Sequence, residues 1–269
     1  MIMRDYEHVL RESSELNEAF IRLYNLIKIL RVECPWDKEQ THESLVSCMK
    51  EEAYEVIEAI SKKDIKNLRE ELGDVLLQVV FHGIIAEELS EFELIDVINQ
   101  ECEKMIRRHP HVFQEKEDKT IDKVLKTWED IKCNEHLSQN QTERLKGVPK
   151  ALPALIRSSK VQKKARESGF DWEDVNGALD KINEETKELI EAINANDNKN
   201  IEEEIGDLLF AVVNASRFLK VNPEEALVKT TEKFIRRYEF IENNADKRME
   251  DMSLDEMDSL WDEAKKKGL

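Results

Sequence analysis

The chain has 269 residues, enough for one or two domains whose core needs no disulfide or metal staple. Seven Gly and five Pro, against 37% charged and only 6% aromatic residues, favour long helices over sheets, which need turn residues at short intervals. The 41 basic and 59 acidic residues leave a net charge of −18, which repels a phosphate backbone, and no GxGxxG or GxxxxGK[ST] segment occurs; nucleic acid polymers, Rossmann folds and P-loop folds are therefore not expected.

Residues 1–15 read as an N-terminal extension, with Val9, Leu10, Leu16, Phe20 and Leu23 at roughly helical spacing. The acidic N-terminus lacks the basic, apolar and small-residue zones of a signal peptide, and the longest uncharged run, Val75 to Ala86, is too short to span a membrane. Cys34, Cys48, Cys102 and Cys133 form no CxxC pair, so they read as ordinary reduced thiols. A cytoplasmic protein without membrane attachment is expected.

Further along, the chain repeats itself. Glu51 to Val80 laid over Glu184 to Val213, at a constant offset of 133, matches 17 of 30 positions without a gap, with EEAYEVIEAI over EETKELIEAI and EELGDVLLQVV over EEIGDLLFAVV. EKMIRR at Glu103 to Arg108 pairs with EKFIRR at Glu232 to Arg237, Trp128 and Lys132 pair with Trp261 and Lys265, and Pro35-Trp36-Asp37 pairs approximately with Phe170-Asp171-Trp172. The expected architecture is all-α, a tandem duplication of an antiparallel, four-helix-bundle-like unit. The first unit takes residues 1–133 and the second 151–269. Residues 134–150, polar and unpatterned, with Gly147 and Pro149 near their end and Pro153 just beyond as breakers, form the linker.

Within the second copy, Ile182, Leu189, Ile190 and Ile193 make one apolar stripe and Ile201, Ile205, Leu208 and Val212 another, giving two amphipathic helices. The Asn- and Asp-rich Asn194 to Asn200 turns between them, as Ser61 to Asn67 does in the first copy, and a third helix starts at Pro223. On these helices Glu185 and Glu188 sit at the edge of one stripe, and Glu204 and Asp207 flank Leu208 on the other. Acids that approach a core need a compensating cation, and no Arg or Lys lies between Gly206 and Ser216. Four carboxylates, an i,i+3 pair from each helix, make a hard-ligand set suited to Mg²⁺ or Mn²⁺. Glu52, Glu55, Glu71 and Asp74 repeat the set with identical spacing, which a solvated acidic surface has no reason to preserve. Gly73 and Gly206, helical glycines directly before each Asp, point to close approach by a facing helix or a ligand. A di-iron centre needs two Glu-x-x-His pairs, and only Glu39-Gln-Thr-His42 fits; the second copy has no His or Cys, which leaves metal-assisted hydrolysis there.

With CPWDKEQTHESL, EEAYEVIEAI, REELGDVLLQVVFH, RRHPHVF, GVPKALPAL, KVQKKARESGFDW, EEIGDLLFAVVN and EKFIRR, the chain resembles the MazG type of the all-α nucleoside triphosphate pyrophosphohydrolases from about residue 16 to 265. The resemblance implies Mg²⁺-dependent cleavage of a nucleoside triphosphate to monophosphate and pyrophosphate with loose base specificity, and a homodimer built by helix packing. It implies metal ligation by Glu185, Glu188, Glu204 and Asp207, with Glu184 or Glu203 taking a proton. Triphosphate contacts fall on Lys181, Lys233 and Arg237, and the base lies against Trp261. Lys233 and Arg237 are i,i+4 and share one helix face. The first copy matches at Glu52, Glu55, Glu71, Asp74, Lys104, Arg108 and Trp128 but places Cys48 opposite Lys181, so the second copy is expected to be the main catalytic one. Alternatives are a dUTP, dCTP or phosphoribosyl-ATP hydrolase of narrow specificity, which is typically a shorter single-copy chain, and a non-catalytic acidic scaffold.

Overall fold

Residues 6–113, 120–134 and 140–269 are described by the computed structural model, and every regular element among them is helical. The chain divides into two compact units, 1–132 and 133–269.

In the first unit, α1 (Glu7–Leu10) precedes α2 (Leu16–Glu33) and the single-turn α3 (Pro35–Lys38). The hairpin α4 (Val46–Lys62) and α5 (Ile65–Leu89) follows, then α6 (Leu94–Arg108), the single-turn α7 (Pro110–Phe113) and α8 (Ile121–Asn134), which runs across the division. The expected N-terminal helix is broken, because the Ser13 hydroxyl accepts from the Glu15 amide at 3.1 Å and donates to the Glu18 carboxylate at 2.6 Å, bonds that compete with a helical turn. Arg22 Nε donates to the Val9 carbonyl at 2.7 Å and ties α1 back onto α2. Helix α2 packs on α5, and Ile27, Leu45, Val80, Phe81, Ile84, Ile85 and Leu94 form the core beneath them.

In the second unit come α9 (Gln141–Lys146), α10 (Ala154–Glu167), the hairpin α11 (Val175–Ala195) and α12 (Asn198–Phe218), α13 (Pro223–Asn244), a 3₁₀ turn at Met249–Asp251 and α14 (Leu254–Lys266). Helix α9 lies where an unpatterned linker was expected. The Asn140 side chain caps it by accepting from the Glu143 amide at 2.8 Å, and the Arg144 guanidinium reaches Glu167 on α10 at 2.5 Å. Residues 135–139 of the expected linker lie outside the described residues. Helix α10 packs on α12, where Gln162 Nε2 donates to the Phe210 carbonyl at 2.8 Å, and α13 packs on α14.

The two hairpins close in the same way. Lys63 and Asn196 end α4 and α11 with left-handed φ values of 56° and 53°, and the next residues, Asp64 and Asp197, cap α5 and α12 by accepting from the Asn67 and Asn200 amides. The turns are shorter than the sequence suggested, and their identity fixes one register in both copies.

Both hairpins leave one apolar face uncovered. Ile57, Ile60, Leu72, Leu76 and Val79 are 40–57% exposed, and Ile190, Ile193, Ile205, Leu209 and Val212, the same positions 133 residues on, are 41–52% exposed. No helix among the described residues is long and apolar enough to cross a membrane.

Candidate metal centre and nucleotide site

The shared register sets the acids opposite one another. Glu185 and Glu188 lie one turn apart on α11, and the antiparallel α12 brings Glu204 alongside, so that carboxylate oxygens of all three fall within 4.8 Å of each other. Glu52, Glu55 and Glu71 form the same trio between α4 and α5. Asp207 and Asp74 sit one turn beyond, outside the tight trios but close enough for their charges to help raise the pKa of Glu204 and Glu52. Glu184 and Glu203 are exposed on the rims.

The trios differ in which acid is deepest. Glu185 is 4% exposed in the second unit, whereas in the first it is Glu71 on the facing helix, 9% exposed. Lys181 accounts for the difference. Its ammonium lies 2.5 Å from Glu185 Oε1 and 2.9 Å from Glu184 Oε1, so the cation that burial demands comes from the preceding turn of α11 and not from α12. This pairing holds the Glu185 carboxyl below its ordinary pKa, while burial and then a side-chain hydrogen bond with Glu185 push Glu188 up, and burial and then the Glu188 charge push Glu204 up. Cys48, at the matching position, packs on the first unit's core and offers no charge; there burial, followed by Asp74 for Glu52 and by Glu55 for Glu71, raises both acids.

A second cluster gathers on α13 and α14. The Arg237 guanidinium stands 5.4 Å over the Trp261 ring and donates from Nε to the Leu269 carbonyl at 2.7 Å, while Phe234 meets Trp261 in a tilted pair with ring centroids 5.1 Å apart. Lys233 is exposed on the same helix. The first unit repeats this too, with Arg108 over Trp128 at 5.7 Å and Lys104 paired with Glu101. Phe234 had no signal in the sequence beyond its place inside EKFIRR, since only the crossing of α13 and α14 brings it to the indole.

One sequence expectation is corrected. Gly73 and Gly206 face open space, with nothing among the described residues within 4 Å of where a Cβ would stand, so no facing helix among them explains these glycines. The glycine that helix packing does require is Gly83, where a Cβ would lie 2.7 Å from Leu94 Cδ1.

The model of the MazG nucleotide pyrophosphohydrolase domain matches twice, at residues 40–113 and 173–241, each match containing one carboxylate trio. The chain belongs to the MazG family. It is thereby a hydrolase of the nucleotide pyrophosphohydrolase kind. Among its MazG relatives, the nucleoside triphosphate pyrophosphohydrolase/pyrophosphatase MazG of Thermotoga maritima is 45% identical over 93% of this chain and 97% of its own length. The nucleoside triphosphate pyrophosphohydrolase of Escherichia coli K12 is 42% identical over 87% of this chain and 90% of its own. The protein YabN of Bacillus subtilis is 46% identical over 95% of this chain and 53% of its own.

The second trio fits a divalent cation on its own chemistry. Glu204 Oε2 is buried and has no hydrogen-bond partner, a costly state for a carboxylate oxygen unless a ligand satisfies it, and three hard oxygen donors already converge there.

Proposed function

We propose that this MazG enzyme hydrolyses nucleoside triphosphates to monophosphate and pyrophosphate, with Mg²⁺ as the cofactor, Mn²⁺ as a substitute and broad base tolerance, and that the second unit is the main catalytic one. The observation that carries this reading is the buried, unpartnered Glu204 oxygen facing Glu185 and Glu188. Glu185, Glu188, Glu204 and Asp207 would hold the metal, which when bound would supply positive charge to the triphosphate and to the departing pyrophosphate. Lys233 and Arg237, four residues apart on α13, grip the outer phosphates as a point charge and a planar fork. Trp261, in contact with both Phe234 and Arg237, is the aromatic surface against which the base lies. Glu203 or Glu184, exposed beside the metal-binding acids, accepts the proton of the attacking water. The first unit, with its trio and its Arg108–Trp128 pair but no lysine at position 48, binds metal and takes a lesser part in turnover.

The working assembly is a homodimer, with the apolar hairpin faces covered by a second copy. Ten exposed aliphatic residues at equivalent places in both units are more than a soluble monomer ordinarily leaves to water. The free thiols of Cys34, Cys48 and Cys102 agree with a reducing cytoplasm. The reaction is tested by incubating the full chain with each of the eight common ribo- and deoxyribonucleoside triphosphates, with Mg²⁺ or with EDTA, and separating products by ion-exchange chromatography. Monophosphate and pyrophosphate from several bases, only with Mg²⁺, are expected. Diphosphate as the main product would refute the reading, and turnover of a single triphosphate would replace broad tolerance by narrow specificity.

A further inference from the structure

We propose that the Lys181 ammonium is a resident occupant of the second unit's carboxylate site, displaced when a divalent cation enters and thereby released to the incoming triphosphate. This rests on the metal reading above and adds an order of events to it.

The geometry makes the two cations competitors. Lys181 Nζ lies 2.5 Å from Glu185 Oε1, the most buried of the acids, and also reaches Glu184 at 2.9 Å. Oxygen-bound Mg²⁺ sits at roughly 2.1 Å. A metal sharing that Glu185 oxygen would therefore stand within about 4.6 Å of the ammonium, where the two like charges repel and compete for the same carboxylate oxygen. The lysine is the one able to leave, because its side chain is 39% exposed and its head rides on a flexible four-carbon stem. Once out of the carboxylates it remains one turn from the site, where a triphosphate held by the metal supplies the next available negative charge. The resident ammonium also explains how Glu185 stays buried and ionised in the nucleotide-free chain.

The duplication supplies an internal control. The first unit keeps its trio, with Glu52, Glu55 and Glu71 oxygens within 4.8 Å, but carries Cys48 where Lys181 would be. Among the described residues no ammonium pairs with this trio, so a metal there would have no resident cation to displace and would release no lysine to the phosphates. Metal and nucleotide binding are therefore coupled through a side chain in the second unit and not through its counterpart in the first.

Mn²⁺ binding measured by electron paramagnetic resonance, without nucleotide, tests this in full-length protein carrying Glu52→Gln and Glu55→Gln, so that only the second trio binds. Lys181→Met keeps the apolar stem and should tighten Mn²⁺ by about fivefold or more, while a non-hydrolysable triphosphate analogue at saturating Mn²⁺ binds about tenfold more weakly. Lys181→Arg, which keeps the charge, should restore the weaker metal affinity. A lysine that only grips phosphate would leave Mn²⁺ affinity unchanged, and one that only braces the helix would weaken metal and analogue together; either result overturns the proposal. In the unmutated chain the Lys181 ammonium resonance should shift when Mg²⁺ alone is added, and its failure to move overturns the proposal independently of any variant's folding. Absence of Mn²⁺ binding in all these proteins would overturn the metal reading itself, and the displacement with it.

Discussion

Gly206 is an interior position of α12 with no strained φ, and among the described residues nothing lies within 4 Å of where a Cβ would stand. Gly206→Ala should therefore fit this chain without a clash and stabilise the helix by about 1 kcal/mol, the ordinary difference between the two residues in a helix interior. For a unit of this size that corresponds to a rise in melting temperature of about 2–4 °C, read by circular dichroism in the absence of metal and nucleotide. Gly73→Ala, equally open, should give a similar gain in the first unit. Gly83→Ala should do the reverse. Its Cβ would meet Leu94 Cδ1 at 2.7 Å and Leu94 Cβ at 3.1 Å, and Leu94 is buried, so overpacking at α5 and α6 should outweigh the helix gain and cost about 1–3 kcal/mol. Gly206 lies between Glu204 and Asp207, beside the proposed metal site, and its open surface suits close approach by a nucleotide or a second copy. Steady-state hydrolysis by Gly206→Ala should accordingly fall by about tenfold or more while the metal-free protein becomes more stable. Undiminished turnover with the stability gain would show that nothing approaches Gly206, and a lowered melting temperature would show that the open space is filled in solution.

Glu185→Gln with Glu188→Gln should cut hydrolysis by about 10²-fold or more, whereas Glu52→Gln with Glu55→Gln should leave most of it; equal losses on the same triphosphate would mean the two units share the chemistry evenly. Glu204→Gln should raise the melting temperature of the metal-free protein, since burial and the facing acids already push that carboxyl up, yet lower turnover by about 10²-fold; a fall in both would mark Glu204 as structural. Glu256 is pushed down to about 2 by the Ser253 backbone amide and then by Lys247, so its contribution to the α14 cap is complete above its ordinary value of 4.5 and drains away as the pH falls towards about 2. The stability difference between wild type and Glu256→Gln, followed by Trp fluorescence, should shrink over that window, and a difference that grows on acidification would contradict the cap.

The helical class and the duplication were legible in the sequence alone, because helix periodicity is local and a constant offset of 133 carries register with it. Asp64 and Asp197 both cap the second helix of a hairpin after a left-handed residue, so the repeat in sequence became a repeat in space, and the acids came together as three in each unit. Local pattern could not say where a side chain reaches. The i,i+4 spacing of Lys181 and Glu185 was visible, but that the ammonium turns onto the acids depended on Glu185 being buried, which the packing of α12 against α11 decides. The same holds for Gly206. An interior glycine suggests close approach by a neighbour, and only the arrangement of the helices revealed that none of the described residues comes near it. Helix α9 formed in a stretch without apolar periodicity because a cap at Asn140 and an ion pair to α10 supplied from outside what its own six residues lacked. Trp261 found Phe234 and Arg237 through the crossing of α13 and α14, a long-range contact that no spacing within either helix encodes.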